Sequence, residues 1–123
     1  MQAALVFAAT MLPVVNGIIA IGNQIQDDSL HYNVAWKEGI SPCLVGVAIA
    51  PEGENLCNKN FRIDGVEYYL VGCKASSTGY AQEPARLRRV SDNSLYGTCN
   101  PVEKKNIDCT GSTHNVIKRY LCE

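Results

Sequence analysis

Hydrophobic positions recur at every second residue in several short stretches of the chain, which is the spacing of β-strands. In the stretch 30–36, the large apolar or aromatic side chains are those of Leu30, Tyr32, Val34 and Trp36. This alternation predicts a half-buried strand. The stretch 43–50 is apolar on both sides and therefore predicts a central strand covered on both faces.

Turn residues divide the second half of the chain into two predicted hairpins. Asp64-Gly65 separates the β-rich stretches 60–63 and 66–73, and a two-residue turn of this kind needs positive φ at both positions. The stretches 87–90 and 95–99 are expected to pair around the turn 91–93. The stretch 114–122 predicts a last strand, whereas 100–112 is polar and is expected to be irregular.

Together these elements predict an all-β fold. The chain has no long amphipathic helical stretch, internal repeat or low-complexity segment. Short strands separated by Gly- and Pro-rich turns are typical of small sandwiches and barrels. We therefore expect a small disulfide-linked antiparallel β-sandwich or barrel of about six or seven short strands.

The stretch 1–20 differs from the rest of the chain because it contains no charged side chain. Its apolar run is too short to span a bilayer comfortably, and the small residues Gly17 and Ala20 follow it. This layout predicts a secretory signal peptide, cleaved after residue 17 or after residue 20, and a single domain over 21–123. The alternative is that the stretch forms a buried helix or strand of the domain itself.

All six cysteines lie after the predicted signal peptide: Cys43, Cys57, Cys73, Cys99, Cys109 and Cys122. An even number in a short secreted chain predicts that all are paired in disulfides. The alternative is a metal site, but the chain has no C-x-x-C pair, so we expect neither a metal nor a cofactor. The pairing is not determined by sequence. Cys99–Cys109 would close the shortest loop and is favoured, and a disulfide at Cys122 would stop the last strand from fraying.

The charge of the chain excludes several classes of partner. Eleven Lys and Arg face twelve Asp and Glu, which gives a net charge of −1. Such a balance provides no general positive field for nucleic acid or for an anionic bilayer. We therefore expect neither a nucleic-acid nor a membrane partner. The chain is also expected to be a monomer. The densest cationic cluster is Arg86, Arg88 and Arg89, which would bind a carboxylate, a phosphate or an acidic partner surface; the alternative is a solvated strand.

Two histidines and two further residues occur in an order that is similar to the catalytic order of the secreted, guanine-preferring fungal ribonucleases. These residues are His31, Glu67, Arg86 and His114, and the stretch 89–97 is similar to the strand that carries the arginine in those enzymes. The resemblance implies acid–base cleavage of RNA by the two histidines, or a catalytically inactive relative. The chain lacks the family's Tyr-x-His, Glu-Phe-Pro and His-Thr-Gly segments. Two unrelated surface histidines are therefore the favoured interpretation, with no catalytic residues.

The charge-poor leader, the remaining domain of about 103 residues and the six cysteines on predicted strands resemble the small secreted cysteine-rich proteins of filamentous fungi. Many of these are effectors of plant pathogens, and one class consists of two packed three-stranded sheets. The resemblance implies a virulence protein released into the host apoplast or translocated into host cells. Such a protein would bind a host protein or a cell-wall component without catalysis.

Overall fold

Eight strands and one short helix account for the regular structure of the described residues. The computed structural model describes residues 17–25, 30–75, 83–111 and 113–123. In chain order the elements are β1 (Ile19–Ile25), β2 (His31–Lys37), α1 (Pro42–Val45), β3 (Val47–Pro51), β4 (Phe61–Ile63), β5 (Val66–Val71), β6 (Arg86–Arg89), β7 (Leu95–Ile107) and β8 (Val116–Cys122). All neighbouring strands are antiparallel, and they lie in the order β3-β2-β1-β8-β7-β6-β5-β4.

The two edge strands of the sheet, β3 and β4, approach each other. The sheet is therefore a nearly closed, barrel-like wall. Closing a sheet in this way protects edge backbone groups that would otherwise be open to pairing with other chains. The predicted all-β, antiparallel, disulfide-linked class is confirmed. There is one strand more than predicted, because β1, which spans the predicted end of the leader at residue 20, was not among the predicted strands.

Apolar side chains on the inner face of the curled sheet form the main core. The buried residues of this core are Ile19, Ile21, Ala35, Leu56, Cys57, Phe61, Ile63, Tyr68, Leu70, Leu87, Cys99, Tyr120 and Cys122. They come from seven of the eight strands and from the connection between β3 and β4. Burial of apolar surface from almost every strand is the main force that holds the wall closed.

A smaller apolar cluster lies on the outer face of the sheet. Trp36 is 1% exposed there and packs with Ala20, Val34 and Val116. This packing requires a glycine at position 22, because a Cβ atom there would lie 3.0 Å from the Trp36 ring and would overlap the backbone of β8. The cluster covers the outside of β1, β2 and β8, so these strands are buried on both faces.

Both predicted hairpins are confirmed. Asp64 and Gly65 join β4 to β5 with φ values of 52° and 81°, the positive φ that a two-residue hairpin turn requires. The turn between β6 and β7 contains Asn93 at φ 57°, and the Asp92 carboxylate accepts a hydrogen bond of 3.0 Å from the Ser94 amide. Asn and Asp suit these positions because their side chains bond to nearby backbone groups.

The three disulfides join Cys43 to Cys109, Cys57 to Cys73, and Cys99 to Cys122. The favoured pair Cys99–Cys109 is therefore wrong. Register explains the outcome, because Cys99 on β7 lies directly opposite Cys122 on β8. The expected disulfide at Cys122 is present and joins the end of β8 to β7.

The apolar stretch 43–50 is not a central strand, so that prediction is wrong. Ser41 caps the short helix α1, accepting a hydrogen bond from the Cys43 amide, and Pro42 occupies the first helical turn, where its missing N–H costs nothing. The strand that follows, β3, is an edge strand. Leu44 is 89% exposed, which shows that the apolar run is not buried throughout.

Two further strand boundaries differ from the prediction. The polar stretch 100–112 is mostly strand, since β7 continues to Ile107 and pairs with β8 beyond an irregularity between Pro101 and Lys105. The strand β2 begins at His31, and Leu30 before it is 53% exposed. Polar residues can form a strand here because the outer side of β7 faces solvent.

The predicted boundary between leader and domain, at residue 20, falls within β1. Ile19 and Ala20 are both fully buried there, and β1 pairs with β2 and β8. Residues 1–16 of the predicted signal peptide lie outside the described residues. No helix in the described ranges is long and apolar enough to cross a membrane.

Candidate functional site

A polar cavity at one end of the barrel brings the two histidines together. Its volume is about 400 Å³, and it is lined by Asn23, Gln24, Ile25, His31, Asn106, Thr113, His114, Asn115 and Ile117. His31 begins β2, opposite Ile25 at the end of β1. His114 lies in the connection between β7 and β8, on the other side of β1. The end of β1 therefore separates the two histidines, and both contribute to one concave surface.

The connection between β7 and β8, which forms one rim of the cavity, is held by several contacts. The Asp108 carboxylate accepts hydrogen bonds from the side-chain amides of Asn106, at 2.8 Å, and Asn115, at 3.3 Å. The Asn115 side-chain oxygen accepts a bond of 2.8 Å from the Cys109 amide. The disulfide from Cys109 to Cys43 adds a covalent link to α1. These contacts hold the described residues on both sides of this connection in place.

The strand β1 also holds this rim through a side chain. Gln24 Nε2 donates a hydrogen bond of 2.8 Å to the backbone oxygen of His114. On the opposite side of the cavity, Nδ1 of His31 lies 3.7 Å from a carboxylate oxygen of Glu52. Each histidine therefore has a defined setting, one through its backbone and the other through a nearby carboxylate.

Behind the cavity is a polar group of side chains on the inner face. Asn23 and Asn33 are 5% and 2% exposed, and Asn23 Nδ2 donates to Asn33 Oδ1 at 3.1 Å. Arg119 Nε donates to Asn23 Oδ1 at 3.0 Å. Buried amides need such partners because an unsatisfied buried polar group is costly. This network fixes the orientation of the Asn23 amide at the cavity.

The structure does not bring all four residues of the ribonuclease-like set together. His31 and His114 share the cavity, but Glu67 lies on β5 and Arg86 on β6. The Glu67 carboxylate lies 3.8 Å from the Arg62 guanidinium on β4. The cavity therefore holds two imidazoles without the arginine that would bind the phosphate.

Two of the three clustered arginines, Arg86 and Arg88, lie on the outer face of the sheet. They belong to β6, which runs between β5 and β7. Leu87 between them is fully buried on the inner face, so Arg86 and Arg88 project to the outer side. Strand register places them in two rows across the three strands: Val71, Arg86 and Thr98 in one row, and Tyr69, Arg88 and Leu95 in the other. We call these six residues the arginine face.

Contacts around Asn93 position part of the arginine face. Arg88 Nη1 donates a hydrogen bond of 2.8 Å to the Asn93 backbone oxygen, and the Tyr69 hydroxyl lies 2.7 Å from Asn93 Oδ1. Leu95, at the end of the same row, is 50% exposed. Among the described residues, no carboxylate lies within 4.0 Å of Arg86 or Arg88. An exposed Arg86, a half-buried Arg88 and the half-exposed Leu95 therefore share the solvent side of these strands.

Arg89 belongs to a different surface from the other two arginines. Its guanidinium lies 4.9 Å from the centre of the Tyr96 ring, and Nη1 donates to Ser94 Oγ at 3.2 Å. Tyr96 in turn packs edge-on against Tyr68 at 5.3 Å between ring centres. The structure therefore splits the predicted binding set into Arg86 and Arg88 on the outer face and Arg89 beside the aromatic core.

No group of three or more His, Cys, Asp or Glu side chains in the described part of the chain is arranged to hold a metal ion. The six cysteines are all in disulfides. The amide residues of the cavity, in contrast, were not predicted as site residues. No local motif marks them, because Asn23, Asn106 and Asn115 come together only through the pairing of β1 with β8 and of β7 with β8.

Comparison with protein-family models, with curated protein sequences and with solved structures finds no match to this chain in any of the three. What the protein does must therefore be argued from its own residues and geometry.

Proposed function

We propose that the protein is secreted and acts by binding an acidic surface of a host protein through the arginine face, without catalysis. The observation that carries this proposal is the pair Arg86 and Arg88, held side by side on the solvent side of a three-stranded region and not neutralised by any described carboxylate. Guanidinium groups form strong, directional bonds with carboxylates, which gives such a pair both affinity and specificity.

The composition of the arginine face supports a protein partner. Tyr69 and the half-exposed Leu95 lie in the same row as Arg88. Tyrosine and arginine are enriched at protein interfaces, where an aromatic ring supplies contact area and a guanidinium supplies polar bonds. A sheet surface that already has its backbone hydrogen bonds also loses little conformational entropy on binding.

Secretion is supported by the cysteines and by the leader-like stretch. Three disulfides persist in oxidising compartments and are uncommon in the reducing cytosol. The uncharged stretch 1–20 has the layout of a signal peptide. With the resemblance to fungal secreted cysteine-rich proteins, these features favour a fungal effector-like virulence protein that acts in the host apoplast or within host cells.

The binding proposal is tested by affinity capture from plant extracellular fluid with two variants matched in charge. Arg86→Glu/Arg88→Glu reverses the arginine face, and Lys104→Glu/Lys105→Glu makes the same change of charge on the exposed part of β7. We expect the first variant to lose a captured protein that the wild type and the second variant retain, with loss also at high salt. Equal capture by all three proteins would refute the proposal.

The proposed absence of catalysis is tested separately, because RNA cleavage is the alternative for the two histidines. We expect no cleavage of single-stranded RNA above that of His31→Ala/His114→Ala, since Arg86 and Glu67 lie away from the cavity. Cleavage that both single histidine variants abolish would establish the ribonuclease-like alternative instead.

A further inference from the structure

The cavity that holds His31 and His114 has a chemistry distinct from that of the arginine face. We infer that it is a binding site for a neutral sugar residue, such as the end of a cell-wall or surface glycan. This inference does not depend on the acidic partner proposed above. Three features of the cavity carry it: its polar lining without any Lys, Arg, Asp or Glu side chain, the fixed orientation of its amides, and its size.

The lining is rich in groups that pair with hydroxyls. Four carboxamides, two imidazoles and one hydroxyl line the cavity, together with two isoleucine side chains. A carboxamide both donates and accepts hydrogen bonds, as a sugar hydroxyl does, so the two groups can form paired bonds. The isoleucines Ile25 and Ile117 provide apolar surface for the C–H groups of a sugar ring.

The electrostatics of the cavity favour a neutral ligand over a phosphate. None of the lining residues is Lys or Arg. Among the described residues, the charged groups that contact the lining are two carboxylates, Glu52 beside His31 and Asp108 bonded to two of the amides, and one guanidinium, that of Arg119 behind Asn23. Negative charge at both sides of the cavity opposes the approach of an anion. A ligand that offers hydroxyl groups without charge meets no such penalty.

The amides are also held in place before binding. Asp108 accepts one N–H from each of Asn106 and Asn115, which leaves Asn106 Oδ1 and the second N–H of each amide without a partner among the described residues. Groups already oriented in this way lose little entropy when a ligand binds. The volume of about 400 Å³ lies within the range of small-molecule sites.

The test is an NMR titration of the full ¹⁵N-labelled protein. The probes are the methyl glycosides of glucose, galactose, mannose and N-acetylglucosamine, with inorganic phosphate and guanosine 5′-monophosphate as anionic arms. We expect at least one glycoside to shift the backbone amides of Gln24, Asn106 and Asn115, while neither anion does so. Asn106→Ala should weaken that binding about tenfold, as expected for the loss of hydrogen bonds to one side chain.

Two further variants test whether the binding depends on the cavity: one changes a cavity residue, and the other changes an amide outside the cavity. His114→Ala changes the cavity without touching the Asp108 contacts and should also weaken glycoside binding. Asn100→Ala removes an exposed amide on β7 outside the cavity and should leave the affinity unchanged. The inference is overturned if no glycoside shifts these amides, if either anion shifts them more than every glycoside, or if Asn100→Ala weakens binding as much as Asn106→Ala.

Discussion

The three clustered arginines, although close in sequence, have different structural roles. Arg86 and Arg88 face solvent, whereas Arg89 lies over the Tyr96 ring at the edge of the inner core. Alternation along β6 produces this division, since successive residues of a strand point to opposite faces. The separation of Arg89 from its neighbours was therefore predictable from sequence, but its aromatic partner was not.

The aromatic group beside Arg89 contributes to the pH dependence of stability at alkaline pH. Burial raises the pKa of the Tyr68 phenol above its usual value, and the nearby Tyr96 acts in the same direction, although Arg89 and Lys37 oppose it. A raised pKa in the folded state means that the neutral phenol stabilises the fold. That contribution is fully present below the unfolded pKa of about 10 and is lost as the pH rises through the folded value.

We therefore predict that Tyr68→Phe reduces the decrease in the free energy of unfolding at alkaline pH. Urea unfolding measured from neutral pH to about pH 11 should show a smaller fall in the free energy of unfolding for the variant than for the wild type. Some fall should remain, because the pKa of Lys37 is raised by its hydrogen bond to Asp64, and the stability that this contributes begins to be lost as the pH passes the ordinary lysine value of 10.5. An identical pH profile for both proteins would contradict this role of Tyr68.

Elements that depend on neighbouring residues were predictable from sequence, whereas pairings between residues far apart in the chain were not. The hairpin at Asp64-Gly65 was predicted because two adjacent residues determine the backbone of the turn. The Cys99–Cys122 pair depends on the register of β7 against β8, which no local pattern reports. The prediction of a strand over 43–50 relied on hydrophobicity alone. It was wrong because Ser41 and Pro42 begin a helix there.

The disulfides link elements over very different distances along the chain, and their contributions should differ accordingly. Cys43 and Cys109 are separated by 66 residues, whereas Cys57 and Cys73 are separated by 16. Loop-closure entropy then predicts a loss of about 4 kcal/mol for Cys43→Ser/Cys109→Ser and about 3 kcal/mol for Cys57→Ser/Cys73→Ser. Urea unfolding of the two variants checks this order, and a larger loss for the second would contradict it.

The strand β1 bears on the processing of the chain. Ile19 and Ala20 are fully buried in β1, so removal of residues 1–20 would delete two core side chains from a strand paired on both sides. Of the two predicted cleavage sites, only the one after Gly17 leaves β1 intact. On the proposal that the chain is secreted, we predict that intact-mass spectrometry of the protein recovered from the medium of a secreting host finds Ile18 at its N-terminus; a chain starting at Ile21 would contradict this.

The molecule as a whole combines a closed wall with two separate surfaces of different chemistry. Disulfides and a core drawn from almost every strand hold the wall on which both surfaces lie. The arginine face is positive and lies on β5, β6 and β7, whereas the amide-lined cavity lies at the end of β1. Sequence indicated the arginines but not the cavity, which exists only in the folded sheet.

The central claim is that the arginine face binds acidic protein surfaces. It is tested most directly by an NMR titration of the ¹⁵N-labelled protein with an oligoglutamate peptide at low and at physiological salt. We predict that the largest shifts occur at the amides of Tyr69, Arg86, Arg88, Leu95 and Thr98, and that they weaken as salt screens the charges. Shifts concentrated at Lys104 and Lys105, or no salt-dependent shifts on β5, β6 and β7, would contradict the claim.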